Sequence, residues 1–431
     1  MSNTAENRRG QLGNHQALNP REFLALTAMT ATLLASVGGA LPQLQMFLLG
    51  GHMLTNVFAK VTLVVALVLG LLARPRTDIT GLPIVAFAIA IGYLILDVGY
   101  LITACRLSPS DIWQSYNGYY AYFFLAFGCV AFRGMIPERL LIRYTVFSLV
   151  ICACIGIAQH FTGRPLLYTE SLEGNFIVQS WEFFESVRAF SLFSSGLDFG
   201  AFCALCGALG VAMSRKHRLQ GVLITALSAL ACYTTLTRVA YLLFFGACMC
   251  SAVITFGKDP KRGFWQPLVY LLVGAVTMVL GLRSFATDDT TTDLQSASSV
   301  FERLVEWTYY TDQLMHSSLD HQLFGLGIVQ GGNDSTVAPI DNVPLSLILH
   351  IGIVGMVIFC TLLFTMWLFL RREALTRQQP FIIAVASMWA TLACEGLFQT
   401  LLSQYGCCFA LALLCSRHEP SDQDFMQPEK G

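Results

Sequence analysis

The chain alternates long apolar blocks with short polar segments over most of its length. The blocks are roughly seventeen to twenty-five residues long, the length of helix that crosses a ~30 Å hydrocarbon core. They are apolar on all sides, as expected of helices surrounded by lipid and by other helices. The pattern predicts an all-α polytopic membrane protein with about twelve transmembrane helices. The predicted spans lie near residues 23–42, 52–72, 82–104, 117–133, 144–162, 190–212, 221–237, 239–256, 266–282, 342–370, 380–399 and 401–416.

One long polar segment interrupts this pattern between the ninth and tenth predicted spans. It predicts a large loop over residues 283–341. The chain then divides into an N-terminal tail (1–22), spans one to nine (23–282), the large loop (283–341), spans ten to twelve (342–416) and a C-terminal tail (417–431).

The large loop contains a helix signal. Ser299 and Glu302 have the spacing of a capping box, which predicts a helix from about 299 to 316. Such a helix places Arg303, Trp307 and Tyr310 on one face. Two interpretations stay open: a surface for phosphate and sugar, or a peripheral helix with its aromatic rings in the membrane interface.

Composition agrees with a membrane protein and gives no support to nucleic-acid binding or to a cysteine metal site. Of the 431 residues 55% are hydrophobic and 12% are charged, against about 25% charged in soluble domains. The net charge of -1 gives no reason to expect nucleic acid as a partner. Most of the fourteen cysteines lie inside apolar blocks, and Cys203 and Cys206 have no second pair nearby, so we expect apolar packing and no metal.

Positive charge predicts the orientation. Nineteen of the 26 lysines and arginines fall in one set of alternating loops, six fall in the other set, and Lys60 lies within a span. Because cytoplasmic loops carry the excess of positive charge, both termini are predicted to be cytoplasmic. The large loop then faces the outside, which is the periplasm if this is a bacterial inner membrane.

Few ionisable side chains fall within the predicted spans, and these share a depth. Counting ~1.5 Å per residue places Asp97, Asp198, Glu395, Lys60 and His350 in the outer half of the bilayer. Buried charges are costly unless they are paired or hydrated. Structural pairing explains any one of them, whereas a water-accessible cavity that opens outward explains the shared depth.

Arg188 and Arg238 lie at the outer ends of their predicted spans. The guanidinium fork suits an anion with several oxygens, and in a membrane such an anion is a lipid phosphate or pyrophosphate. The sequence has no P-loop, no HExxH and no GxSxG motif. Nucleotide hydrolysis, zinc proteolysis and serine hydrolysis therefore have no support.

Several short segments, taken together, resemble the O-antigen ligase and Wzy-type polysaccharide polymerase superfamily. Their order, and the large loop before the tenth span, extend the likeness over nearly the whole chain. The segments are Arg188-Ala189-Phe190, Leu236-Thr237-Arg238-Val239-Ala240, Phe301-Glu302-Arg303-Leu304, Phe324-Gly325-Leu326-Gly327, and Asp341-Asn342-Val343-Pro344-Leu345 followed by Gly352 and Gly355.

The resemblance implies a metal-independent glycosyltransferase with a GT-C-like helical fold and no cofactor. Its donor would be an oligosaccharide on undecaprenyl pyrophosphate, bound beside membrane lipid. Arg238 and Arg303, with Arg188 as a weaker third, would hold the pyrophosphate. Trp307 and Tyr310 would contact sugar.

The resemblance also implies the group that activates the acceptor hydroxyl. Asp341 would be the general base or would position the acceptor, and Asn342 would orient it. His321 and His350 are alternative bases.

Three functions remain open. Ligases of this superfamily usually have histidine where this chain has Asp341, which favours a polymerase that joins lipid-linked repeats into O-antigen or exopolysaccharide, with a chain-length regulator as a candidate partner. The second is a ligase that transfers finished glycan to lipid A core or to protein. The third is a lipid or polysaccharide transporter, in which Asp97, Asp198 and Glu395 would form a proton path; such carriers commonly show internal repeats, and none is evident here.

Overall fold

The computed structural model describes about half of the chain in long continuous stretches. These are residues 84–109, 136–163, 186–193, 195–257, 307–327, 342–396 and 402–416, together with residues 112, 120, 123, 126, 129, 130, 133, 134, 182, 183, 265, 266, 269, 270, 272–274, 276 and 305. The first two predicted spans, both tails and most of the large loop lie outside the described residues.

The described regular elements are helices apart from one short hairpin. In the hairpin, β1 (Glu182–Phe183) and β2 (Ser186–Val187) pair antiparallel. The helices are α1 (Ile84–Thr103), α2 (Glu138–Thr162), α3 (Gly196–Met213), α4 (Arg218–Thr234), α5 (Arg238–Phe256), α6 (Leu319–Phe324), α7 (Val343–Arg377), α8 (Pro380–Glu395) and α9 (Leu402–Cys415). Residues 307–315 of the large loop are also helical.

Five of the described helices are long and apolar enough to cross a membrane: α1, α2, α3, α5 and α7. Many of their large apolar side chains point away from the protein, for example Leu96 (75% exposed) and Phe245 (68% exposed). In water such surfaces would be costly, whereas lipid accepts them. The described part of the chain therefore indicates a helical membrane protein.

Two predicted boundaries are wrong in an informative way. The sixth span was predicted from residue 190, but α3 begins at Gly196. The apolar residues before it form a turn, because Gln159 Oε1 accepts hydrogen bonds from the backbone N–H groups of Phe190 (3.2 Å) and Ser191 (2.7 Å). The tenth span extends to Arg377 and is broken at Gly352, where φ is 70° and ψ is 179°.

Glycines allow the central helices to approach closely. A Cβ at Gly200 would overlap that of Ala240, and a Cβ at Gly210 would lie 2.7 Å from the carbonyl oxygen of Gly221. Small residues at crossings of this kind are typical of membrane helices. These contacts place α3 parallel to α5 and antiparallel to α4.

The alternating helices give the bundle two ends. The basic end contains residues 133, 134, 136–139, 213–218, 373–381 and 413–416, joined by hydrogen bonds such as Phe381 N–H to Glu138 Oε1 (2.9 Å). The loop end contains residues 97–107, 159–163, 186–193, 195–198, 234–238, 319–327, 342–352 and 396. There the backbone N–H of Val343 donates to the carbonyl of Gly396 (2.8 Å).

Candidate functional site

Two of the predicted arginines lie close together at the loop end. Arg238 is the first residue of α5, after a tight turn in which Leu236 has φ 50°. Arg188 follows β2, and the backbone N–H of the next residue, Ala189, donates to the carbonyl of Thr234 in the same turn (2.9 Å). This backbone bond fixes the strand that carries one guanidinium against the helix start that carries the other.

Arg188 and Arg238 bring two positive charges to the start of α5. Arg188 is half-buried and Arg238 is exposed. Burial, and next the positive charge of Arg238, lower the pKa of Arg188. The N-terminus of α5 adds a partial positive charge and free backbone N–H groups. Such an arrangement attracts an anion with several oxygens.

Asp198 lies beside this region, in a role that differs from the predicted one. Because α3 begins at Gly196, Asp198 lies in the first turn of the helix and not ~12 Å below the outer face, as a start at residue 190 required. Its carboxylate accepts from Ser195 Oγ (2.9 Å), whose oxygen in turn accepts from the Asp198 backbone N–H (3.1 Å). A carboxylate there complements the helix dipole.

His321 lies at the same end, on the short helix α6. Its Nδ1 is 2.9 Å from Tyr100 Oη and 3.3 Å from the carbonyl oxygen of Gly325. Both of these contacts use Nδ1, and the ring is partly exposed. This geometry fixes the orientation of the imidazole and leaves Nε2 for another group.

The other candidate base, His350, lies in a packed interface. It is 3% exposed, its Nδ1 is 2.9 Å from Tyr120 Oη, and the two rings stack with centroids 5.5 Å apart. The carbonyl of His350 also meets Gly325 of the loop so closely that a Cβ there would overlap it. These contacts suit a residue that holds α7 in place better than one that meets a substrate.

Asp97 is buried (3% exposed) one turn of α1 before Tyr100. Burial, and next the charge of Asp97, raise the pKa of the Cys105 thiol beyond the helix end. Asp97 also interacts electrostatically with Tyr100, the residue whose hydroxyl contacts His321.

Three further predicted residues lie in the described part of the chain. Asn342 caps α7, with its side-chain oxygen accepting from Leu345 N–H (2.9 Å). Trp307 is half-buried, and its indole N–H has no acceptor among the described residues. Tyr310 is 5% exposed and packs with Leu314 and Leu349, so its ring contacts protein.

Four predicted residues cannot be placed in this geometry: Lys60, Arg303 and Asp341 lie outside the described residues, as does the side chain of Glu395. Sequence reasoning missed Tyr100 and Tyr120, the partners of the two histidines. Tyr100 carried a signal, since it follows Asp97 by one helical turn. Tyr120 carried none, because it is 230 residues from His350 along the chain.

The described residues contain no group of three or more His, Cys, Asp or Glu side chains that could hold a metal ion. Comparison with protein-family models and with curated protein sequences finds no match to this chain.

Proposed function

We propose that this protein is a membrane-embedded glycosyltransferase whose donor is an oligosaccharide on undecaprenyl pyrophosphate. The observation that carries the proposal is the pair of arginines, Arg188 and Arg238, held side by side at a helix N-terminus. Two guanidinium groups at the end of a bundle of membrane-length helices suit the pyrophosphate of such a lipid. The resemblance of the surrounding segments to the ligase and polymerase superfamily supports the same donor.

In the proposed reaction, an acceptor hydroxyl attacks the anomeric carbon of the donor sugar. The bond from that carbon to the pyrophosphate oxygen breaks, and the oxygen keeps the electron pair. Arg188 and Arg238 stabilise the growing negative charge, a contribution of about 3–4 kcal/mol for one well-placed donor. Arg303 is proposed as a third such group.

The acceptor proton needs a base. His321 fits this role among the described residues, because a hydrogen on Nδ1 can be donated to Tyr100 Oη (2.9 Å), which leaves the Nε2 lone pair to take the proton. Asp341 remains the alternative base implied by the resemblance. Trp307 is proposed to donate its indole N–H to a sugar hydroxyl.

The polymerase is favoured over the ligase by Asp341 alone, so product analysis has to separate them. Loss of a polymerase leaves single lipid-linked repeats, whereas loss of a ligase leaves lipid-linked polymer. In a bacterial inner membrane, with both termini cytoplasmic, the loop end would face the periplasm. A reporter that works only in the cytoplasm should therefore be active when it is fused to residue 431.

The test is an assay with purified protein, a lipid-linked oligosaccharide and a chelator. We expect polymer to form, and Arg238→Ala and Arg188→Ala each to lower the rate about 10²–10³-fold. Arg372→Ala, which removes an exposed arginine at the basic end, is the matched control and should keep full activity. Full activity in both site variants would refute the assignment, and substrate uptake into vesicles without product would favour the transporter.

A further inference from the structure

A second polar cavity lies at the basic end of the bundle, remote from the arginine pair. It has a volume of about 200 Å³ and is formed where α3 and α5 end and α8 begins. Its polar lining consists of Arg215, Lys216, Thr255 and Gln378. Among the described residues that line it, two are cationic and none is a carboxylate.

One of the two exposed cations of the lining, Arg215, is held in a defined way. Arg215 donates through Nη1 to Gln378 Oε1 (2.8 Å), and Gln378 is itself held by bonds from its Nε2 to the carbonyls of Ala374 (3.3 Å) and Leu375 (3.2 Å). Within the described part of the chain, the hydrogen-bond partner of this guanidinium is thus a neutral amide, which does not neutralise its positive charge. Glu373, the nearby acid in sequence, lies within 3.1 Å of Arg133 and 2.7 Å of Arg377.

Basic residues after a membrane helix have an ordinary explanation, because they complement the dipole at a helix C-terminus and anchor the helix at the interface. Thr255 is not explained in this way. It is 5% exposed, lines the cavity, and its Oγ1 has no hydrogen-bond partner within the described part of the chain. Helical threonines normally bond a carbonyl one turn earlier, as Thr225 does to Gly221 (2.9 Å).

A buried hydroxyl without a partner costs free energy unless a ligand or water satisfies it. Here the buried hydroxyl shares a cavity with two exposed cations, and the described lining includes no carboxylate. The volume is below the ~300 Å³ at which pockets for larger ligands begin. The site therefore suits a small group that offers several acceptor oxygens.

We propose that this cavity binds one phosphate group, through the hydroxyl of Thr255 and the positive charges of Arg215 and Lys216, with Gln378 holding the Arg215 guanidinium in place. The phosphate could belong to the headgroup of an anionic lipid, since basic pockets between membrane helices bind such headgroups, or it could be free phosphate. In either case the bound anion joins the ends of α3, α5 and α8. The proposal does not depend on the glycosyltransferase reaction.

The experiment measures binding to the full-length purified protein in two arms. In the first, protein from nanodiscs of phosphatidylglycerol or phosphatidylcholine is released into the mass spectrometer and the retained lipids are counted. In the second, inorganic phosphate is titrated onto detergent-solubilised protein and the midpoint of thermal unfolding is followed. Retention of phosphatidylglycerol assigns the headgroup, and a rise of the midpoint with phosphate assigns the free ion.

The variants decide whether the cavity is responsible. Thr255→Val keeps the shape of the side chain and removes the hydroxyl, and we expect about tenfold weaker binding, the usual effect of losing a hydrogen bond to a charged group. The double variant R215Q/K216Q should lose binding by a larger factor.

Arg218→Gln removes an exposed cation from the same end outside the cavity lining and serves as the control. It should bind as the wild type does. The proposal is overturned if the wild type binds neither probe, if Thr255→Val and R215Q/K216Q bind normally, or if Arg218→Gln loses as much as they do.

Discussion

At the basic end of the bundle, Glu373 lies between two arginines, whereas at the loop end Arg188 lies beside another arginine, Arg238. In the first case the carboxylate is 3.1 Å from Arg133 and 2.7 Å from Arg377, and these side chains are 11–13% exposed. In the second, burial and the neighbouring charge of the same sign lower the pKa of Arg188.

The difference lies in the sign of a neighbouring charge, which is opposite at Glu373 and the same at Arg188. A buried acid between two bases is compensated by charges of the fold itself, and removing it leaves the two positive charges uncompensated. Two bases side by side raise the energy of the empty protein, and an added anion lowers it. Arginine at a helix end is thus informative only together with the sign of its neighbours.

The largest effect should follow from breaking the basic-end network. Glu373→Ala leaves Arg133 and Arg377 without this carboxylate in a mostly buried setting and should cost about 3–5 kcal/mol of stability. The midpoint of thermal unfolding in detergent measures it. Arg372→Ala, the exposed neighbour, should change little; equal shifts in the two variants would contradict the comparison.

A second large effect is expected at the loop end, where α6 packs against the break in α7. Gly352 has φ 70° and ψ 179°, a conformation open essentially to glycine alone, and a Cβ there would overlap the carbonyl of Leu323. Gly352→Ala should cost about 1–3 kcal/mol in backbone strain and release α6.

Proteolysis after the release of α6 provides the measurement, since residues 319–327 should be cut faster in the variant. Gly92→Ala is the matched control, because no atom lies within 4 Å of the added Cβ and the residue is inside a helix. Unchanged cleavage in Gly352→Ala would show that α6 does not depend on this break.

A smaller effect distinguishes two roles of Asn342. The sequence suggested that it orients a catalytic group, whereas its side chain caps α7 through Leu345 N–H (2.9 Å). Asn342→Ala should cost about 1 kcal/mol, and Asn342→Asp, which also caps, should be nearly neutral. If Asn342→Asp is as stable as the wild type but inactive, the amide has a role in the reaction beyond the cap.

The helices themselves were largely predictable from the sequence. The span predicted at 239–256 is α5 (Arg238–Phe256), and that predicted at 82–104 is α1 (Ile84–Thr103). The length and composition of an apolar segment can be read from consecutive residues, without knowledge of distant contacts. The twelve-span count and the GT-C-like arrangement extend beyond the described residues and remain predictions.

The site was predictable only in part, because its geometry depends on distant contacts. The sequence predicted Arg188 and Arg238 at the outer ends of their spans. In the structure a backbone hydrogen bond from Ala189 to Thr234 joins the two segments that carry them. The sequence could not show that Gln159 would capture the backbone of Phe190, 31 residues away, and so move the start of α3. Nor could it show that His350 packs on Tyr120.

The smallest predicted effect is the sharpest test of the comparison, because it has the opposite sign to the first. Arg238→Gln removes one of two neighbouring positive charges and should leave stability unchanged or raise it by at most about 1 kcal/mol, the usual range for an exposed charge interaction. The same variant should lose transfer activity. Thermal unfolding and the transfer assay on one preparation measure both quantities. A protein that became clearly less stable would place Arg238 among the structural arginines, as at the basic end, because removing one of two like charges does not by itself weaken the fold.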